Sequence, residues 1–127
     1  MMDEQERQEE LQALKQDIFE SLHCALPGTV VSFDAETQTA VIQPAVKTAS
    51  CVELPVLRDV PVFMPVSFEI QEGDACLVIF ADRDIDAWFE TGEAEVPPSS
   101  RMHSLSDGFA FVGFRTRRNA DENASDG

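Results

Sequence analysis

The sequence predicts an all-β fold: a small five-stranded OB-type barrel over residues 26–114, with an N-terminal α-helical arm over residues 1–25 and a flexible polar tail over residues 115–127. Three observations carry this. The opening stretch is rich in Glu, Gln, Leu and Ala and lacks Gly and Pro until Leu26-Pro27-Gly28, which reads as a helix and its stop. Beyond it, short Val-rich and Phe-rich segments alternate with turn residues and prolines, the punctuation of strands. The β-type sequence amounts to roughly ninety residues, a good size match for a five-stranded barrel.

In the arm, Leu11, Leu14, Ile18, Leu22 and Ala25 recur every three or four residues and form a narrow apolar stripe opposite a charged face. Such a stripe serves either helix–helix association or packing on the chain's own domain. Val30, Val31 and Phe33, the polar turn Asp34 to Gln38 and the returning Thr39 to Gln43 read as a β-hairpin, with the Asp34 carboxylate opening the turn. Pro55, Pro61 and Pro65 remove ladder donors, so their segments belong at edges or bends. Glu72-Gly73-Asp74 turns into the run Ala75 to Phe80, apolar enough for a strand covered on both sides. Ile85 to Phe89 is a further strand or a short helical turn. After the polar loop Glu93 to Arg101, the segment His103 to Phe114 sets Phe109 and Phe111 in alternation with Ala110 and Val112. Both faces are apolar, so this is a buried or interface strand. The tail lacks apolar anchors and is expected to be mobile.

The 127 residues are 43% hydrophobic, enough for a packed core, and 24 acidic against 9 basic side chains give a formal net charge of -15. So acidic a surface repels phosphate backbones and anionic membranes and suits docking onto basic partner surfaces. No nucleic acid partner is expected. No stretch approaches the roughly 20 apolar residues of a membrane helix, so no stable membrane insertion is expected either. Cys24, Cys51 and Cys76 are odd in number and far apart, the pattern of free thiols and not of a disulfide framework.

Chemistry-bearing motifs are few. Asp82, Asp84 and Asp86 with Glu93 have the spacing of a calcium loop, but the sixth loop position is Ala87 where the turn wants Gly, and Trp88 and Phe89 follow at once. The better reading is a charged turn at a strand end, with Arg83 pairing locally with an aspartate. His23, His103 and the cysteines form no CxxC, CxH or HxH, so no metal site is expected. His103, Ser104, Ser106 and Asp107 are hydrolase residue types without a Gly-x-Ser-x-Gly elbow, so no catalytic residues and no cofactors are expected. The phenylalanines sit in apolar runs with few basic neighbours, which reads as core and not as a nucleic-acid platform.

Several phrases occur in a characteristic order. Ala25 to Asp34 and Gln38 to Pro44 come first, then Leu54-Pro55-Val56-Leu57 and Val60-Pro61-Val62. Phe68 to Asp74, Phe80 to Trp88, Arg101 to Gly108 and Val112-Gly113-Phe114 follow. Together they resemble the Gp138 N-terminal domain family over about residues 25–114. The resemblance implies an OB-fold, homotrimeric base of the membrane-piercing spike of a contractile phage tail. It would sit in the tail baseplate of the virion, beneath the baseplate hub protein, and be assembled in the bacterial host cytoplasm. Leu105-Ser106-Asp107 matches a family phrase preceding the last strand, where Ser and Asp turn the chain. Family members continue into a β-helix, whereas this chain ends soon after Phe114 and has no HxH, so a separate spike tip or needle protein is the expected partner. Leu11, Leu14, Ile18, Leu22, Phe109 and Phe111 are the expected oligomer or hub interface. The alternative function is a soluble OB-type adaptor that binds a protein or peptide.

Overall fold

Asp3 opens the first helix because its carboxylate replaces a backbone partner that the first turn lacks: it accepts a 2.7 Å hydrogen bond from the Glu6 amide. In the computed structural model, which describes residues 2–48, 50–64 and 69–117, helix α1 spans Glu4–Ser21. Glu4 and Glu6 complement the positive helix N-terminus. The helix ends at Ser21, several residues before the expected stop, because the chain is taken over by sheet pairing. His23 donates to the His103 carbonyl at 3.1 Å, and Cys24 accepts from the Phe80 amide at 3.0 Å. Leu26-Pro27-Gly28 therefore lies inside a strand, and reading it as a helix stop is corrected by the structure.

Five strands follow: β1 (Ala25–Asp34), β2 (Thr39–Pro44), β3 (Leu57–Pro61), β4 (Ala75–Phe80) and β5 (Gly108–Phe114). They form one antiparallel sheet in the order β3-β2-β1-β4-β5. The long β1 pairs with β4 from Ala25 to Thr29 and with β2 from Gly28 to Asp34. A bulge at Val31 sharpens the twist and curls the sheet. The curl brings the two edges together, where Val62 bridges Ala110 in parallel and the Phe63 amide donates to the Ala110 carbonyl at 2.9 Å. The result is a small OB-like barrel. The expected hairpin turn forms, with the Asp34 carboxylate accepting from the Glu36 amide at 2.9 Å.

Inside, Val30, Ala40, Ile42, Leu57, Val60, Val62, Cys76, Val78, Phe80 and Ala110 make one core. Each large member stabilises the fold by about 1.5–3 kcal/mol through the apolar surface it removes from water. Gly28 and Gly108 are required by close approach. A Cβ at Gly28 would stand 2.6 Å from Ile42 Cγ2, and one at Gly108 2.7 Å from Val78 Cγ1.

Ile85 to Phe89 resolves as helical, within α2 (Asp86–Thr91). β4 is covered on one face only: Cys76, Val78 and Phe80 are buried, while Leu77 is half-buried and Ile79 exposed on the outside. The expectation of cover on both sides is therefore wrong for the single chain, because a strand of a one-layer barrel has only one interior face. No helix among the described residues is long and apolar enough to cross a membrane. The tail from residue 118 on, expected to be mobile, and the Pro65–Phe68 stretch lie outside the described residues.

Candidate assembly surface

Alternation along β5 puts its small residues inward and its aromatics outward. Gly108 and Ala110 are buried, whereas Phe109 and Phe111 stand half-buried on the outer surface. Cross-strand pairing sets Phe111 beside Leu77 and Phe109 beside Ile79. Phe63 joins at one end, its ring 5.2 Å from that of Phe111, and Trp88 of α2 at the other, 5.7 Å from Phe109. Phe63, Ile79 and Trp88 are all exposed. The outer face of β4–β5 thus carries a continuous aromatic and aliphatic row. Phe109 and Phe111 are therefore not core residues, which corrects part of the reading of the phenylalanines; Phe80 does lie in the core. Phe63, Leu77, Ile79 and Trp88 were missed, although the signal was available for Leu77 and Ile79 in their alternation with Cys76 and Val78.

The other expected interface residues lie elsewhere. Leu11, Leu14, Ile18 and Leu22 are 65%, 57%, 50% and 40% exposed, and α1 buries no residue at all. The stripe is not used for packing on the chain's own barrel.

The loop leading into α2, the helix that carries Trp88, is locked by Arg101. Its Nη2 lies 2.8 Å from Asp84 Oδ1, 2.7 Å from Asp107 Oδ1 and 3.2 Å from Asp86 Oδ1, while Nε donates to Asp107 Oδ2 at 2.9 Å. The Asp84 and Asp107 side chains are 1% and 0% exposed. Asp107 also accepts from the Ile85 amide at 3.1 Å, and Ser99 donates its hydroxyl to Asp84. The Ser99 hydrogen bond above all, with the Asp86 amide and the Arg101 charge, holds the Asp84 carboxyl below its ordinary range against the opposing effect of burial. The hydrogen bonds that the Arg101 guanidinium donates to Asp107 push it further toward its charged form.

Asp84, Asp86 and Asp107 are close enough to share a cation. That place is taken by a guanidinium, which satisfies all three carboxylates at once. Asp82 and Glu93 do not join them: Asp82 faces His103 at 3.6 Å, and Glu93 follows the helix end, its amide donating to Thr91. Arg83 bridges Met102 through its backbone, so the cation that pairs with the aspartates is Arg101 and not the expected Arg83. No histidine or cysteine belongs to such a cluster among the described residues. Before β5 the turn is closed by Ser104, which accepts from the Asp107 amide at its carbonyl and from the Ser106 amide at its hydroxyl, while the Asp107 carboxylate anchors Arg101.

A concavity runs between β3 and α2, lined by Val56, Leu57, Arg58, Ile85, Phe89 and Leu105. A family model described as the phage protein Gp138 N-terminal domain matches residues 26–113. A comparison with curated proteins finds no match.

Proposed function

This chain belongs to the phage protein Gp138 N-terminal domain family, and from that premise we propose that it forms the base of the central spike beneath the baseplate hub of a contractile tail. Membership makes it a phage structural protein and a virion component, and points to a non-enzymatic role. In the proposed role it is a homotrimer that couples the hub to a separate spike tip for penetration of the cell envelope.

The observation that carries the reading is the outward row of Phe63, Phe111, Leu77, Phe109, Ile79 and Trp88 on a chain of formal net charge -15. On a surface otherwise rich in carboxylates, contiguous aromatic area marks a contact with protein. A closed ring of copies would bury it and leave the charge on the rim. The Arg101 lock fixes the start of α2, and with it Trp88, as a member under mechanical load requires.

The test is the solution mass of the purified chain by light scattering. A mass three times the 14.1 kDa chain is expected. Phe111→Glu should shift it toward monomer at unchanged barrel stability, since a buried interfacial aromatic is worth about 2 kcal/mol or more. A wild-type monomer at high concentration would instead favour an adaptor module, with the concavity between β3 and α2 as the first place to look for a bound peptide.

A further inference from the structure

We infer that α1 of three copies packs into a short, parallel, in-register coiled coil, a second assembly element separate from the barrel face. The copy number rests on the trimer reading above; the register and polarity rest on the helix itself.

Leu11, Leu14 and Ile18 occupy successive a, d and a positions of a heptad pattern, and Leu22 follows the helix as its extended C-cap. All four are exposed, and the helix that carries the first three buries nothing against its own barrel. The charges beside this seam are unevenly placed. Glu10 and Asp17 occupy successive g positions along one flank, and Lys15 occupies the e position on the other. In a parallel bundle the g flank of one helix meets the e flank of the next, so Glu10 lies against the neighbour's Lys15, five residues further on. An antiparallel arrangement would set the acidic g flanks against each other. Glu6, Glu9 and Glu20 fall away from the seam and stay in water.

Within the chain, Lys15 makes no ion pair among the described residues; its ammonium lies 5.8 Å from the centre of the exposed Phe19 ring. It is therefore available to a neighbouring copy. A seam this short does not hold isolated helices together. It forms once the barrels bring three helices into one small volume.

The test uses the full chain with the two exposed thiols removed, Cys24→Ser and Cys51→Ser. Leu14→Cys is added at the seam or Glu9→Cys on the outer face. Under mild oxidation Leu14→Cys should form covalent dimers severalfold more readily than Glu9→Cys, because a disulfide requires closely apposed Cα atoms. Lys15→Glu should weaken the trimer, and Glu10→Lys in the same chain should restore it. A trimeric mass with equal cross-linking at both positions would overturn the inference and leave the barrel trimer standing. A monomer that does not cross-link would overturn both. Indifference of the trimer to Lys15→Glu would also overturn it, pointing to a basic groove on another protein as the occupant.

Discussion

Arg101 shows how one side chain can replace a bound ion. Three carboxylates crowd the turn between β4 and α2, and without a cation they would repel each other and open the loop. Replacing the guanidinium by a methionine of similar length leaves the Asp84 and Asp107 carboxylates buried and uncompensated. Arg101→Met is therefore expected to lower the thermal midpoint by on the order of 10 °C. The lock also sets a pH dependence. Because the folded-state Asp84 carboxyl is held below its ordinary range, its ionisation stabilises the fold above the unfolded carboxylate range, near pH 4, and this contribution is lost as pH falls below it. Urea unfolding of the wild type and Asp84→Asn should differ most above about pH 5 and converge in acid. A gap unchanged down to acid pH would mean that the hydrogen bonds and not the charge hold the loop. The sequence hid this lock because Arg101 lies seventeen residues from Asp84, and only the return of the chain to β5 makes them neighbours. The nearer Arg83 was the natural local choice, and the fold spends it elsewhere.

Elements were legible wherever a single periodicity ruled. The arm declares itself by spacing of three and four residues, and the first hairpin by alternation around Asp34. Sidedness was harder. In β5 both faces are apolar, and size alone suggests that the phenylalanines go inside. The interior instead takes Gly108 and Ala110 there, with Val112 packed at its margin, because Val78 and Phe80 already fill the space beside them. The end of α1 was misread for a related reason: Pro27 and Gly28 have the chemistry of a helix stop and also that of a strand passing tightly over Ile42. Since α1 buries nothing on the barrel, its seam can be destroyed without touching the core. Leu14→Asp with Ile18→Asp should leave the thermal midpoint of the barrel within a few degrees of wild type and, on the proposed assembly, should weaken the trimer or its docking to a hub. Collapse of the barrel in that variant would show that the arm belongs to its folding unit.

At the scale of the whole molecule, charge and apolar surface oppose each other. Each copy carries a formal net charge of -15, and assembling three copies concentrates that charge around one axis. In the proposed trimer, association by the aromatic row is thus held together by desolvation of apolar groups and resisted by long-range repulsion. The Debye length falls from about 30 Å at 0.01 M salt to about 8 Å at 0.15 M, so added salt screens most of the repulsion and leaves the apolar contact intact. Trimer stability, measured as the concentration at which the scattering mass falls to half, should rise with ionic strength. Docking of the proposed spike base onto a hub, if that surface is basic, should respond in the opposite sense, since there the long-range field attracts. The pair of trends distinguishes the two interfaces without a structure of either. Self-association that weakened with salt would mean that ion pairs such as Glu10 with Lys15 dominate over the aromatic row, and the outer face of β4–β5 would then have to be assigned to another partner.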